Sequence, residues 1–384
     1  MVFSFFRVHL NSFLQEREHL NPGSLVYLPY VIMPMNSASV FLVEFIMSGN
    51  RKKKRHLKTS IRRFSRQTLI VVLSVVLIVG LTGYIALLLI LKGPSPTFSN
   101  MVVSTMWETR RGKAIVNALF TDEEIEAILA KNSTVGSDFS AHVNETDNTE
   151  WNIPESEKDD IQVIDVNGSS WKGKLMIVRD PSRIELGVNT EMGDAAAGHN
   201  VEEYVSYYGA VAGINAGGFE DPNGQGDGSA NYGIVIKDGQ IISHNPDYVT
   251  VIGFNEQDHL IVGDMTSEQA IEWGITDAVT FGPVLVYDSH ALPIQGSGGG
   301  LNPRTVIGQK PDGSVLLLVI DGRQTNSIGA SYEDCANLML EYGAMTAANL
   351  DGGSSTVMVY NGEIINSVVS MDGDRQVPTA WLVK

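Results

Sequence analysis

Hydrophobic residues fall into short runs along most of the chain, but one run is much longer than the others. Residues 68–91, TLIVVLSVVLIVGLTGYIALLLIL, contain no charged side chain. A run of this length suits a bilayer-spanning helix, which needs about 20 apolar residues. The basic stretch RKKKRHLKTSIRRFSR lies just before it. The positive-inside rule then predicts a cytoplasmic N-terminus and places residues 93–384 outside the membrane.

A cleaved signal peptide is the alternative interpretation of this run. The apolar core of a signal peptide is normally shorter, about 7–15 residues, and a small-residue cleavage site follows it. Here the sequence LKGPSPTFS follows instead. We therefore expect an uncleaved transmembrane signal anchor at 68–91, preceded by a basic cytoplasmic segment at 47–67.

The regions on either side of the predicted anchor show weaker patterns. Residues 1–46 have no sustained period, and we interpret them as the product of a misassigned start codon or as an unstructured segment, since Met47 opens a sequence typical of an anchored protein. A hydrophobic segment lying on the membrane is the alternative. Residues 92–160 predict a stalk or linker with one short helix, because Thr121 suits an N-cap and acidic residues follow it.

Residues 161–384 have the pattern of a β-rich domain. Apolar runs of strand length alternate with turn residues, and Asp-Gly or Asn-Gly pairs predict three hairpins. No regular βαβ alternation is present, so the predicted class is α+β, with a large mixed β-sheet core and few helices. The predicted hairpin turns are Asp238-Gly239, Asp312-Gly313 and Asn361-Gly362, and the predicted helices are 197–209, 266–274 and 331–343.

Charge and cysteine content exclude several classes of protein. Residues 1–92 carry 12 basic and 3 acidic residues, whereas residues 93–384 carry 15 basic and 41 acidic residues. So acidic a domain would repel the phosphates of nucleic acid, and no nucleic-acid partner is predicted. A single cysteine, Cys335, excludes an internal disulfide framework. Helical spacing around it favours a buried thiol over a nucleophile.

Common cofactor and metal motifs are missing from the sequence. The stretch GSGGGL at 296–301 lacks the last glycine of a dinucleotide-binding motif, and no P-loop or G-x-S-x-G is present. Residues 221–232, DPNGQGDGSANY, have part of the spacing of an EF-hand loop. Tyr232 stands where that loop needs a glutamate, so we favour a glycine-rich loop, with a Ca²⁺ site as the alternative. No other metal or cofactor is predicted.

Polar residues next to glycine follow several apolar runs, and NLDGGSS at 349–355 is the clearest case. One interpretation is a turn, because glycine tolerates positive φ and aspartate can cap its own backbone. The other is a site, in which glycine N–H groups bind an anion and the aspartate supplies a charge or a base. Loops on a rigid sheet commonly carry functional residues. Five such strand ends together supply two arginines, two carboxylates and backbone donors.

Five motifs in a fixed order resemble the phosphodiester glycosidase family, the family of N-acetylglucosamine-1-phosphodiester α-N-acetylglucosaminidases. They are NAGGF, FGP, PRTVIG, VIDGR and NLDGGSS, and the resemblance extends over about 175–384. The anchor and the TDEEIEAIL helix also resemble its membrane-anchored bacterial branch, which is associated with exopolysaccharide. One departure is Glu220, where many members have an aromatic residue, and it concerns the shape of the sugar pocket.

The resemblance implies hydrolysis of a sugar-1-phosphodiester at the glycosidic C–O bond by an enzyme at the cell surface. Asp351 and Asp321 are then the predicted catalytic carboxylates, and the predicted partners are a carbohydrate phosphodiester and the membrane. A binding module for anionic wall polysaccharide and a phosphodiesterase that cuts P–O are the alternatives. The predicted substrate-binding residues are Asn215, Gly217, Arg304, Arg323, Asn349, Gly352, Gly353 and Ser354, with both arginines on phosphate.

Overall fold

The computed structural model describes residues 51–130, 151–192, 197–221, 226–296, 298–368 and 375–384. These residues form seven α-helices and 17 strands in three sheets, which confirms the predicted α+β class. The expectations for residues 1–46 and for the polar linker around 131–150 lie outside the described residues. The chain divides into two compact units, Met1–Thr82 and Gly83–Lys384, and each is described separately.

Helix α1 (Arg51–Leu91) contains the long apolar run. Within it, Arg66–Leu91 has a mean hydropathy of 2.7 over its most apolar window, and none of that window is buried. By length and composition this stretch can cross a membrane, and it includes the predicted span at 68–91. A membrane anchor and a signal sequence both have these properties.

Three short helices follow α1, and we call Pro96–Leu129 the helical segment. They are α2 (Pro96–Trp107), α3 (Arg110–Leu119) and α4 (Asp122–Leu129). The predicted helix after Thr121 is confirmed as α4, with the capping box that its sequence indicates. Helices α2 and α3 were not predicted. They pack through a small buried core formed by Leu91, Val103, Val116 and Ile125.

The largest sheet has seven strands in the order β1-β2-β13-β12-β14-β10-β11. Strand β13 reads VLLLVI, and all of its residues are buried. One face of this sheet packs on the other two sheets and the opposite face packs on helix α7, so its central strands are apolar on both sides. Its strands are β1 (Ile161–Asn167), β2 (Lys172–Val178), β10 (Val284–Tyr287), β11 (His290–Ala291), β12 (Arg304–Gln309), β13 (Val315–Ile320) and β14 (Thr346–Leu350).

Two five-stranded sheets complete the core. Their orders are β16-β15-β4-β17-β3 and β6-β5-β9-β7-β8, and every strand pair assigned among the described residues is antiparallel. The large sheet predicted from sequence is therefore one of three. The strands are β3 (Ile184–Val188), β4 (Ala212–Asn215), β5 (Val235–Lys237), β6 (Gln240–Ser243), β7 (Val249–Asn255), β8 (Leu260–Met265), β9 (Ile275–Thr280), β15 (Met358–Tyr360), β16 (Glu363–Ile364) and β17 (Thr379–Val383).

The local turn and helix signals are confirmed. The three predicted hairpins are β5–β6, β12–β13 and β15–β16. Asn361 and Gly362 have φ of 54° and 81°, as a type I′ turn requires. Cys335 is buried on α7, and burial raises the pKa of its thiol to about 12, as expected of an inert thiol. The three predicted helices are α5 (Val201–Tyr207), α6 (Ser267–Glu272) and α7 (Tyr332–Glu341).

Candidate active site

Three of the predicted strand ends meet at one edge of the seven-stranded sheet. In the antiparallel register, Arg304 at the start of β12 pairs with Ile320 at the end of β13. The next residue of β12, Thr305, pairs with Leu350 at the end of β14. Asp321 and Asp351 therefore leave their strands on either side of β12, at the same edge.

A pocket of about 310 Å³ opens beside Asp351. Four of the ten residues predicted from sequence line it, and all four come from the DGGS stretch at 351–354. The other six predicted residues lie outside this lining. The residues that line the pocket are Glu108, Gly218, Phe219, Asp221, Tyr232, Phe281, Asp351, Gly352, Gly353, Ser354 and Ser355.

Asp351 is held through its main chain and keeps one carboxylate oxygen unpaired. Its N–H donates to the carbonyl of Ala216 at 3.0 Å, and its carbonyl accepts from Nδ2 of Asn215 at 2.6 Å. Oδ1 accepts from the N–H of Gly352 at 2.9 Å. Oδ2 is buried and has no hydrogen-bond partner among the described residues. A buried, half-satisfied carboxylate is costly, and such groups are common at functional sites.

Burial raises the pKa of Asp351 to about 7. The hydroxyl of Ser355 and the N–H of Gly352 act against this rise because both stabilise the ionised form. The negative charge of Glu108 adds to the rise, and the positive charge of Arg375 opposes it. A carboxyl group with a pKa near 7 is suited to proton transfer at neutral pH.

Two arginines lie close to Asp351. Arg323 has a φ of 58°, and its guanidinium lies behind Gly353, where an added Cβ would be 3.1 Å from Nη2. Burial lowers the pKa of Arg323, and the charge of Asp351 opposes that change. Nη2 of Arg375 lies 2.7 Å from Oδ2 of Asp221, and the guanidinium carbon of Arg375 is 4.9 Å from the ring centroid of Phe219. Asp221 and Phe219 both line the pocket, so Arg375 borders it as well.

Glycine N–H groups 352 and 353 are used inside the loop itself. Gly352 donates to Asp351, and Gly353 donates to the carbonyl of Pro303 at 3.0 Å. Gly353 has a φ of 63°, which favours glycine, and it begins a short 3₁₀ helix, Gly353–Ser355. The stretch is therefore a turn that also lines a pocket. Phosphate binding by these two N–H groups stays a prediction.

Arg304 lies away from the pocket, in a nest of carbonyl groups. Its Nε donates to Ala330 at 3.1 Å, and its Nη2 donates to Gly299 and Gly300 at 2.8 and 3.0 Å. The guanidinium also stacks on the ring of Tyr332, 4.2 Å from the centroid. These contacts fix the 299–301 loop. The predicted role of Arg304 in binding phosphate stays a prediction.

One carboxylate oxygen of Asp321 is hydrogen-bonded to a neighbouring loop. Its Oδ1 accepts from the N–H of Ser367 at 2.9 Å and from Nδ2 of Asn366 at 3.3 Å. Burial raises its pKa, and these two donors act in the opposite direction. Asp321 thus shares the sheet edge with Asp351 but does not line the same pocket. Its catalytic role stays a prediction.

Asn215 connects two sheets behind the pocket. It is fully buried, and its Oδ1 accepts from the hydroxyl of Thr305 at 2.8 Å and from the N–H of Val357 at 3.2 Å. Its Nδ2 donates to the carbonyl of Asp351. These contacts use both the oxygen and the nitrogen of the amide group and hold the end of β14 in position. Asn215 therefore positions Asp351 from behind.

Gly217 and Asn349 are packing residues at the same edge. A Cβ on Gly217 would lie 2.8 Å from Cβ of Val279, so only glycine fits there. The Nδ2 of Asn349 donates to the carbonyl of Gly282 at 2.9 Å, while its Oδ1 is buried without a partner among the described residues. Both residues shape the strand ends from outside the pocket lining.

The possible Ca²⁺ loop is described only in part, since residues 222–225 lie outside the described residues. Of its acidic residues, Asp221 approaches Arg375, and Asp227 accepts from the N–H and hydroxyl of Ser229. No cluster of three or more metal-binding side chains occurs in the part of the chain that the structure describes. Calcium binding stays a prediction.

Sequence reasoning did not identify Glu108 or Arg375 as residues of the site. Glu108 comes from a region interpreted as a stalk, and Arg375 precedes the last strand without a motif of its own. Tyr232 was noted only because it does not suit a calcium loop. The aromatic residues at 219, 232 and 281 give the pocket apolar walls, as sugar rings require. A pocket of this kind, with a buried carboxylate and nearby arginines, is a candidate active site.

One family profile matches this chain. Residues 208–384 match the family profile NAGPA, phosphodiester glycosidase. The SPbeta prophage-derived uncharacterized protein YomE of Bacillus subtilis (strain 168) is 30% identical over 171 residues, which cover 41% of this chain and 26% of that protein. This chain thus matches about a quarter of the relative's length.

A solved structure gives a further comparison. The zebrafish N-acetylglucosamine-1-phosphodiester alpha-N-acetylglucosaminidase catalytic domain, auto-inhibited by its pro-peptide, has 20% identity and a TM-score of 0.49. That match covers 58% of this chain and 82% of the zebrafish chain. Residues 208–384 of this chain belong to the phosphodiester glycosidase family. The predicted resemblance is thereby confirmed, while its membrane-anchored bacterial branch stays a prediction.

Proposed function

We propose that residues 161–384 hydrolyse a sugar-1-phosphodiester at the glycosidic C–O bond. The observation that carries this proposal is the carboxylate of Asp351, which is buried in the pocket with Oδ2 unpaired and arginines close by. Membership of the phosphodiester glycosidase family supports the same reaction class.

Arg323 and Arg375 are suited to attract the phosphate of the substrate. Each of them interacts electrostatically with the carboxylate of Asp351. A positive potential in a pocket of low dielectric favours a bound anion. We assign the phosphate to this region of the pocket, and the sugar to the walls formed by Phe219, Tyr232 and Phe281.

Asp351 acts on water in the proposed reaction. Its carboxylate takes one proton from a water molecule while the water oxygen bonds to the anomeric carbon. The bond from that carbon to the phosphate oxygen breaks, and its electron pair stays on the phosphate. The products are the free sugar and a phosphomonoester dianion, and Asp351 releases the proton to solvent before the next turnover. Because phosphate leaves as an anion, a strong general acid is not required.

The proposed substrate is cell-surface or exopolysaccharide material outside the membrane. The apolar helix α1 and its basic first half support this topology. Protease added to intact cells should then remove residues 93–384, and protection of the domain in unpermeabilised cells would contradict it. A chain that begins at Met47 should be inserted and active like the full chain, and a loss of either property on removing 1–46 would show that these residues matter.

Isotope labelling tests the reaction directly. The purified full chain is incubated with a GlcNAc-1-phosphodiester in ¹⁸O water, and the products are analysed by mass spectrometry. Label in the sugar supports C–O cleavage, whereas label in the phosphate shows a phosphodiesterase that cuts P–O. Saturable binding without turnover would instead show a binding module for anionic polysaccharide. In the first case, kcat/KM should rise with pH through about 7 as Asp351 ionises.

A further inference from the structure

We propose that Glu108, at the end of α2, supplies the second carboxylate of the active site. This inference rests on the proposed hydrolysis and names a residue that the family match at 208–384 does not include. Glu108 directly follows α2 as its C-cap residue. It lines the 310 Å³ pocket together with Asp351. The helical segment would then be part of the enzyme and more than a spacer between helix α1 and the β-rich domain.

The end of α2 is fixed to the 300–301 loop and to the side chain of Arg323. The hydroxyl of Thr105 accepts from the N–H of Leu301 at 2.9 Å. Gly300 lies so close that an added Cβ would be 2.6 Å from the backbone nitrogen of Thr105. The carbonyl of Glu108 accepts from Nη2 of Arg323 at 2.9 Å. These contacts place the main chain of Glu108 beside an arginine that we assign to phosphate.

The side chain of Glu108 is exposed at the pocket, whereas the carboxylate of Asp351 is buried. The charge of Glu108 acts on two ionisable groups of the site. It helps to raise the pKa of Asp351, and it opposes the effect of burial, which lowers the pKa of Arg323. Asp321 does not have this relation to Asp351, because the charge that acts on Asp321 is that of Lys174. The geometry thus pairs Asp351 with Glu108.

A glycosidase needs one group that transfers a proton and another that stabilises the positive charge on the sugar ring. Two carboxylates with different surroundings suit these two tasks. Asp351 is buried and takes the proton from water, as described above. Glu108 forms no bond to the sugar and accepts no proton in this scheme. Its charge stabilises the positive charge that develops on the sugar ring as the bond to phosphate breaks. The stabilisation is electrostatic and increases toward the transition state.

The test is Glu108→Gln in the full chain, with Glu123→Gln as the matched control. Glu123 lies on the same helical segment, in the first turn of α4, is exposed, and does not line the pocket. We expect kcat on the phosphodiester to fall by roughly 10²-fold in Glu108→Gln, because a group that stabilises developing charge contributes about 10²–10³-fold. KM should change little, and Glu123→Gln should match the wild type.

The pH profile separates a charge effect from a structural one. Removing the charge of Glu108 should shift the midpoint of the remaining activity to lower pH, because that charge helps to raise the pKa of Asp351. Glu108→Asp should recover part of the rate. An unchanged rate and midpoint in Glu108→Gln would overturn the proposal, and so would a gain in activity, which would mean that the segment obstructs the pocket.

A structural role has its own signature. Equal losses in Glu108→Gln and Glu108→Asp, together with a lower melting temperature and an unshifted pH midpoint, would also overturn the proposal. Failure of the proposed function gives a different result, since the wild-type chain would then release no sugar from any phosphodiester. If the wild type is active and Glu108→Gln changes neither the rate nor the pH midpoint, only the inference about Glu108 is wrong.

Discussion

The ends of β13 and β14 carry nearly the same sequence at the same edge of one sheet. Asp321-Gly322 follows β13, and Asp351-Gly352 follows β14. Oδ1 of Asp321 accepts two hydrogen bonds from the 366–367 loop. Oδ1 of Asp351 accepts from the next residue in the chain, and Oδ2 is buried and unpaired among the described residues.

The difference shows that an Asp-Gly pair does not define a role by itself. A carboxylate that accepts two hydrogen bonds from a neighbouring loop stabilises that loop. A buried carboxylate with an unpaired oxygen at a pocket is available for reaction, and the fold must compensate for its desolvation. The predictions below test whether this contrast holds.

The largest expected effect belongs to Asp351→Asn. The substitution keeps the size and turn preference of aspartate but removes the charge and the basic oxygen. General-base roles contribute about 10²–10⁴-fold, so kcat should fall by that order. Kinetics on a sugar-1-phosphodiester measure the effect, and circular dichroism checks that the fold is kept. Asp321→Asn is the matched control and should lose less than about tenfold. Full activity in Asp351→Asn would refute its catalytic assignment.

The pH dependence of stability gives the next effect. Because the pKa of Asp351 is raised to about 7 in the folded chain, its burial opposes folding increasingly as pH rises from about 4 to 7. Asp351→Asn lacks this penalty. Relative to the wild type it should gain stability by up to roughly 4 kcal/mol at pH 8, and by almost nothing at pH 4. Denaturant unfolding at both pH values measures the difference. An equal difference at the two pH values would mean that the carboxyl group is not shifted.

Lysine substitutions at Arg304 and Arg323 should also differ in effect, since the first should mainly lower stability and the second should mainly weaken substrate binding. Arg304→Lys keeps the charge but loses the bonds to three carbonyl groups and the stacking on Tyr332, so stability should fall by roughly 2 kcal/mol. Arg323→Lys should mainly raise KM, by about tenfold, because phosphate loses a planar partner. Thermal melts and kinetics on both variants test this. A raised KM with unchanged stability in Arg304→Lys would show instead that Arg304 binds the phosphate.

The smallest expected effect is at Gly353. Its φ of 63° is unfavourable for other residues, and an added methyl group would lie 3.1 Å from the guanidinium of Arg323. Gly353→Ala should therefore cost about 1–2 kcal/mol, seen as a lower melting temperature. Gly362→Ala, at a hairpin tip with φ of 81° and open space around it, isolates the backbone part of this cost. A larger loss at Gly362 would show that the contact with Arg323 is unimportant.

Much of the fold was predictable because its signals are local. Asp-Gly and Asn-Gly pairs fixed the positions of three hairpins, and the N-cap residue Thr121 marked the start of α4. The division of the strands into three sheets was not predicted. It depends on which strands pair across long separations, such as β2 with β13, and no local pattern encodes that choice.

The site was predictable only where one motif contains it. The DGGS stretch lines the pocket as expected, because its residues are consecutive. Glu108 was missed because α2 reaches the site through contacts with a loop about 195 residues later in the chain, which no local pattern reveals. Arg304 and Asp321 follow the same motif logic as Asp351, yet loop contacts that the sequence does not reveal use their polar groups.

The position of β17 has a consequence for the time at which activity can appear. This strand lies between β3 and β4, and its partners in β3 were synthesised about 195 residues earlier. Thr379 on it also accepts the N–H of Gly217, next to the loop that lines the pocket. A ribosome-bound or partly translocated chain that lacks β17 cannot close this sheet, so the pocket forms late. Pulse-labelled chains should gain activity and protease resistance together, and only after Val383 has been added and has left the ribosome or the translocation channel.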